Sequence, residues 1–129
     1  MNDNKNLIEE YLKSLKIVKD KENILKAAGR INKNLRLFEG HFPDMPVMPG
    51  AFHILMAVKI IEKSEGKAFF MSKVKGAKFR IPLYPGDLIE IYCNLKSKES
   101  KSIEAQCIIR KGGREASKFN LLLIEKSQG

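Results

Sequence analysis

The sequence predicts an α+β domain in which an antiparallel sheet wraps around one buried helix. Three observations point there. Ala51 to Lys63 is apolar on nearly every side, apolar and polar residues alternate along most of the chain that follows, and Gly112-Gly113 sits between two of the alternating stretches.

Taken in order, Asn4 to Lys19 reads as a helix, because Leu7, Tyr11 and Leu15 recur every four residues with Ile8 and Leu12 beside them. Ile24 to Leu37 is less regular, and its second half is expected to be extended, with Ile31, Leu35 and Leu37 alternating against Arg30, Asn34 and Arg36. A loop follows, dense in Gly40, Pro43, Pro46, Pro49 and Gly50, where the prolines exclude a regular helix or a central strand. Ala51 to Lys63 is then a helix stopped at Gly66. Phe69 to Phe79, Leu88 to Leu95, Ile103 to Arg110 and Ser117 to Ile124 read as strands. Tyr84-Pro85-Gly86-Asp87 is a turn, and Lys111-Gly112-Gly113-Arg114 closes a hairpin.

The 129 residues fit one domain spanning 1–129, with residues 1–20 as an N-terminal helical segment. Hydrophobic residues make up 43 % and charged residues 30 %, which suits a globular domain with a modest core, completed by a partner subunit if one is present. No run reaches the roughly 18 apolar residues of a membrane span, and no apolar stretch of a secretory signal follows the polar start. A cytoplasmic protein without membrane attachment is the expectation. The net charge of +9 favours acidic partners, but Lys96, Lys98, Lys101, Lys111 and Lys118 belong to a spread of charge rather than to a nucleic-acid motif, so no nucleic-acid partner is expected. Cys93 and Cys107 lie singly in alternating stretches and are expected as reduced, buried thiols. With His41 and His53 the only histidines, neither a metal site nor a cofactor is expected.

The chemistry-bearing stretch is Phe38 to Gly50. Its prolines brace His41, whose imidazole, with an ordinary pKa of about 6.5, can accept a proton at neutral pH. Pro49-Gly50 opens the buried helix, and a helix N-terminus offers free N–H groups and a positive dipole end to an oxyanion. Gly50 lets a ligand approach the backbone. A base beside an oxyanion site and apolar walls is what removal of a proton α to a thioester requires. Read from the residues alone, a packing or turn role for His41 is equally open.

The stretch closely resembles the active-site motif of the FabZ and FabA dehydratases, Gly-His-Phe-Pro-x-x-Pro-x-x-Pro-Gly, met at Gly40, His41, Phe42, Pro43, Pro46, Pro49 and Gly50. A second block, Ala77 to Asp87, resembles the strand-and-turn element that follows in this family. The resemblance runs from about Ile31 to the C-terminus; the His-Arg-x-Pro-Phe-Leu-Leu-type segment of the FabZ branch is missing before it. It implies a hot-dog fold, usually dimeric with two acyl sites at the subunit interface, acting on a 3-hydroxyacyl chain carried as a thioester by acyl carrier protein, an acidic partner compatible with the +9 charge. His41 would act at C2 and the Gly50 N–H would hold the thioester carbonyl, with Phe42, Ala51 and Leu55 beside the substrate and Phe52, Met56, Phe69, Phe70 and Met71 as candidate lining of the acyl tunnel.

The family pattern breaks at one position. Fourteen residues after the histidine it carries a Glu or Asp on the central helix, and here that position is Leu55. Loss of the C3 hydroxyl needs a proton, and a positioned acid contributes about 10²–10⁴-fold. His53 should face about 200° away from Leu55, and Glu62 lies about 10 Å further along the axis. Asp44 and Glu39 are loop charges. Three readings stay open: a dehydratase with an unusual acid, or one in a heterodimer whose second hot-dog subunit supplies the acid; a thioesterase or enoyl-thioester isomerase on the same fold; and a non-catalytic acyl- or carrier-binding subunit. A homodimer or a heterodimer with another hot-dog subunit is the expected assembly.

Overall fold

The computed structural model describes residues 15–20, 23–31, 47–98 and 101–127. They form β1 (Leu15–Lys19), β2 (Ile24–Arg30), α1 (Gly50–Glu65), β3 (Phe69–Phe79), β4 (Leu88–Ser97), β5 (Ser102–Lys111) and β6 (Arg114–Glu125). The six strands make one antiparallel sheet in the order β1-β2-β4-β5-β6-β3. Helix α1 packs against both edge strands, β1 and β3, and also against β2 and β4. Touching both edges of one sheet requires that sheet to curve around the helix, as the sequence predicts.

Directly opposed residues of antiparallel neighbours share a face, so the core can be read as rows running across the strands. Leu25, Cys93, Cys107 and Phe119 form one row through β2, β4, β5 and β6, each at most 1 % exposed. Ala27, Ile91, Ile109 and Ser117 form the next. Met56, Ala57, Ile60 and Ile61 of α1, all fully buried, close over them. The alternation of Ile89, Ile91 and Cys93 against Glu90, Tyr92 and Asn94 is the sequence image of these rows. Both cysteines are buried and free, as expected, and register places them side by side rather than apart. The hydrogen bond that its S–H makes to Cys93, together with burial, holds the Cys107 thiol well above its ordinary range.

Turn chemistry fixes the connections. Gly112 and Gly113 have φ of 59° and 76°, the left-handed pair that a tight hairpin between β5 and β6 demands. Gly66, at φ 69°, ends α1 by donating its N–H to the Glu62 carbonyl at 2.9 Å.

Two expectations change. Leu15–Lys19, predicted as the end of a helix, is strand β1; the rest of that prediction lies outside the described residues. Leu15 and Ile17 point inward from β1 opposite Gly29 and Ala27 of β2, so pairing outweighs the four-residue spacing. The helix is also less buried than its composition implies. His53, Met56, Ala57, Val58, Ile60 and Ile61 are buried, while Phe52, Ile54 and Leu55 are only partly covered. Ile24–Arg30, mostly the half that the sequence leaves irregular, is strand β2, and 32–37, in the half expected to be extended, lie outside the described residues. Among the described residues no helix is long and apolar enough to cross a membrane.

Candidate active site

His41 and Phe42 lie outside the described residues, and the residues that bracket them define where the site is built. On the entering side, Ile31 donates its N–H to the Asp87 carbonyl at 2.7 Å and accepts one from Gly86 at 2.7 Å. On the returning side, Met48 donates to the Leu83 carbonyl at 2.8 Å. Both flanks are therefore tied to the same segment, Leu83–Asp87, the end of the second block, Ala77 to Asp87, that the sequence singles out.

That segment is itself rigidly held. Asp87 accepts a hydrogen bond from the Tyr84 N–H at 2.7 Å and pairs with Lys111 at 2.7 Å. Lys111 also lies over the Tyr84 ring, 5.1 Å from its centroid. Arg30 donates to the Gly86 carbonyl at 2.8 Å. A short Pro-Gly turn with its aspartate folded back on it holds Ile31 at one end and Met48 at the other.

From Met48 the chain passes through Pro49 into α1. Pro49 is the residue before the helix, with no side-chain cap and no acidic residue in the first turn, so nothing in α1 itself neutralises the positive end of its dipole. Gly50 lies against the Phe79 ring of β3: a Cβ there would stand 3.2 Å from two of its carbons. Gly50 thus serves close packing of the helix start on β3. Ala51 is exposed, and Leu55, one turn on from Ala51, is partly exposed on the same side of the helix. Leu55 brings an isobutyl group and no proton donor.

His53 takes the opposite side, as the helical spacing predicts. Only 2 % exposed, it has Nδ1 2.9 Å from the Ser117 hydroxyl of β6, and its ring meets Phe79 edge-on at 5.3 Å between centroids. Burial pushes its pKa down to about 4, against a smaller opposing effect of a hydrogen bond to the Met48 backbone. It is a neutral imidazole linking α1, β6 and the Val47–Pro49 segment, and not an acid poised over Leu55. Glu62 is likewise engaged, accepting the Phe69 N–H at 2.7 Å and pairing with Lys59 at 3.1 Å. Neither replaces the missing carboxylate.

Of the candidate tunnel residues, Met56 and Phe69 are buried and Phe52 is partly buried against the core. Met71 stands opposite Leu123 on the helix side of the sheet, whereas Phe70 stands opposite Ile124 on the outer side. Phe70 is thus a correction: one step along a strand reverses the face. The His53–Ser117 bond escaped the sequence reading, because strand order alone brings residues 53 and 117 together. Among the described residues no group of three metal-ligating side chains occurs.

The chain matches the ApeI-like family, described as ApeI dehydratase, over residues 17–118. It is 38 % identical over 80 residues to the 3-hydroxyacyl-(acyl-carrier-protein) dehydratase FabZ of Oleidesulfovibrio alaskensis, covering 55 % of this chain and 52 % of that one. To the FabZ of Latilactobacillus sakei it is 30 % identical over 105 residues, covering 76 % and 75 %. The match thus spans only about half the length of the first of these relatives. Among solved structures, it resembles the dehydratase heterocomplex ApeI:P from Xenorhabdus doucetiae with a TM-score of 0.69 at 19 % identity, over 84 % of this chain and 94 % of that one. It also resembles a hypothetical thioesterase with coenzyme A from Streptococcus pneumoniae, with a TM-score of 0.67 at 13 % identity, over 99 % and 98 %. At these identities the two structures establish the fold, a hot dog.

Proposed function

The chain belongs to the ApeI-like dehydratase family, and we propose that it removes water from a 3-hydroxyacyl thioester presented by acyl carrier protein. His41 takes the C2 proton. The electrons left behind delocalise onto the thioester oxygen, which the N–H of Gly50 at the uncapped start of α1 steadies. Collapse of that charge forms the C2–C3 double bond and expels the C3 hydroxyl, which leaves as water once protonated. Phe42, Ala51 and Leu55 line the acyl chain. No redox change or group carrier enters this sequence of steps, so it calls for no cofactor.

The observation that carries this reading is the convergence of the two motif blocks. Ile31 and Met48, which flank the His41 stretch, are both hydrogen-bonded to Leu83–Asp87, and Met48 leads directly into the free helix end. The proton for the hydroxyl is the part Leu55 cannot supply, and in this proposal it comes from a carboxylate of a second hot-dog subunit across the dimer interface. A cytoplasmic location goes with a carrier-bound substrate. The second reading, isomerisation or hydrolysis of a thioester, draws on the same Leu55, since moving a double bond needs proton shuttling without water loss.

The test is enoyl formation from a 3-hydroxybutyryl thioester, by the purified chain alone and co-expressed with a second hot-dog subunit carrying the helix Glu. Activity in the co-expressed pair, abolished by His41→Ala in this chain, is expected. A pair that hydrolyses or isomerises but never dehydrates would overturn the dehydratase reading in favour of the second.

A further inference from the structure

Among the described residues, His53 and Ser117 are the two buried polar side chains, 2 % and 0 % exposed, and they are bonded to each other at 2.9 Å. Ser117 belongs to the row Ala27–Ile91–Ile109–Ser117, which is otherwise apolar, and His53 is the one polar residue on the buried side of α1. Filling this space does not need polarity, because apolar groups of the same shape in both places are nearly neutral or stabilising. What a polar pair adds is direction. A hydrogen bond fixes the angle of the ring, where packing alone fixes only its volume.

Three contacts meet on that ring, and two of them reach the start of α1. The first is its hydrogen bond to the Met48 backbone. The Met48 N–H is already donated to the Leu83 carbonyl at 2.8 Å, so the ring holds the Met48 carbonyl. Between that carbonyl and the Gly50 N–H stands only Pro49, whose ring locks φ, here at -59°. Fixing one peptide plane therefore largely fixes the other.

The second contact is Phe79, met edge-on at 5.3 Å between centroids. The same Phe79 ring packs on Gly50, with three of its carbons within 3.3 Å of where a Cβ would stand. Phe79 is 47 % exposed, so its ring has room to turn on one side, and His53 closes the other. The third contact, Ser117, is the anchor. It stands opposite Ile109 and Phe79 in the sheet. The Ala116 carbonyl beside it accepts the N–H groups of Arg80 at 2.7 Å and Ile81 at 3.1 Å. Strand β6 thus holds the end of β3 and, through Ser117, the imidazole as well.

We infer that His53, anchored by Ser117, is a positioning residue: through the Met48 carbonyl and the Phe79 ring it aims the Gly50 N–H at the thioester oxygen. His53 itself touches neither substrate nor the reacting atoms. The inference rests on the proposed function in taking that N–H as the donor to the oxyanion. A misplacement of about 1 Å costs about 10²-fold, so a loosened ring slows the chemistry while the fold still stands.

Exchange of the C2 protons of butyryl-N-acetylcysteamine thioester in heavy water isolates the step. It needs the base and the oxyanion donor, but neither a C3 hydroxyl nor an acid. His53→Leu keeps apolar bulk and loses both hydrogen bonds, Ser117→Ala keeps the ring and removes its anchor, and His53→Gln restores an N–H able to reach the Met48 carbonyl. His53→Leu is expected to lower kcat for exchange about 10–100-fold and Ser117→Ala about 3–10-fold, with KM within about twofold, while His53→Gln returns to within about threefold of wild type. Ser117→Ala carries the test should His53→Leu fail to fold. Nitrogen–proton correlation spectra read the aim without catalysis: the Gly50 amide peak should move in His53→Leu and Ser117→Ala, return toward its place in His53→Gln, and do so while the peaks of β4 and β5 stay put. A wild type that exchanges no protons sinks the enzymatic reading, and the Gly50 peak then decides the positioning by itself. His53→Leu with wild-type exchange and an unmoved Gly50 peak overturns the inference. So does loss of exchange in step with urea stability in all three variants, glutamine included, which is the mark of a structural role alone.

Discussion

Replacing His53 by glutamine should flatten the acid side of the stability profile. In the folded chain His53 is held neutral, with a pKa of about 4, while in the unfolded chain it returns to 6.5. Between those values the unfolded state binds more protons, so stability is complete above about pH 6.5 and falls as the pH drops. At about 1.4 kcal/mol per pH unit the full gap amounts to about 3 kcal/mol, of which about 2 kcal/mol is lost by pH 5. The groups against the ring, Ser117, Phe79 and the Met48 backbone, carry no charge, so this loss belongs to burial of the imidazole and not to a broken ion pair. Urea unfolding at pH 7.5, 6 and 5 measures it. Carboxylates titrate equally in both proteins, so the difference between wild type and His53→Gln isolates this histidine. The variant should be less stable at pH 7.5, where the Ser117 bond is disturbed, and the gap should narrow by about 2 kcal/mol at pH 5. Two profiles that run parallel would refute the reasoning, because His53 would then titrate alike in both states.

Leu55→Glu should gain enoyl-forming activity with a 3-hydroxyacyl thioester while costing about 1–3 kcal/mol, since Leu55 is only partly buried against the core. Activity and urea unfolding read together separate a catalytic gain from a folding loss. Phe119→Ala removes the fully buried ring that ends the Leu25–Cys93–Cys107 row and should cost about 3–5 kcal/mol by chemical denaturation. Asp87→Ala leaves the Tyr84 N–H and Lys111 without their acceptor and should cost about 1–2 kcal/mol. If Leu83–Asp87 holds both flanks of the His41 stretch, the same variant should also raise KM or lower kcat beyond what its folded fraction explains.

Most elements were legible because each depends on neighbours in sequence. The thirteen-residue apolar run could only be a helix placed against a sheet, and β4, β5 and β6 announce themselves by a period of two. Gly112-Gly113 announces its turn because few other residues accept two consecutive positive φ values. The short strand β1 was not legible: the leucine spacing ahead of it fits a helix, and only β2 alongside supplies the hydrogen bonds that make Leu15–Lys19 extended.

The candidate site divides in the same way. By itself the sequence determined the motif, its histidine, the glycine at the helix start and the absence of a carboxylate at Leu55, because these are identities at fixed spacings along one chain. Only the tertiary structure decided that His53 is sealed against Ser117, that both flanks of the motif rest on Leu83–Asp87, and that Cys93 lies beside Cys107. It also decided that β3 is an edge strand. Alternation along a strand records which side chains share a face, but not how many strands lie beyond it. That number comes from sheet order, which among the described residues pairs β3 with β6 alone.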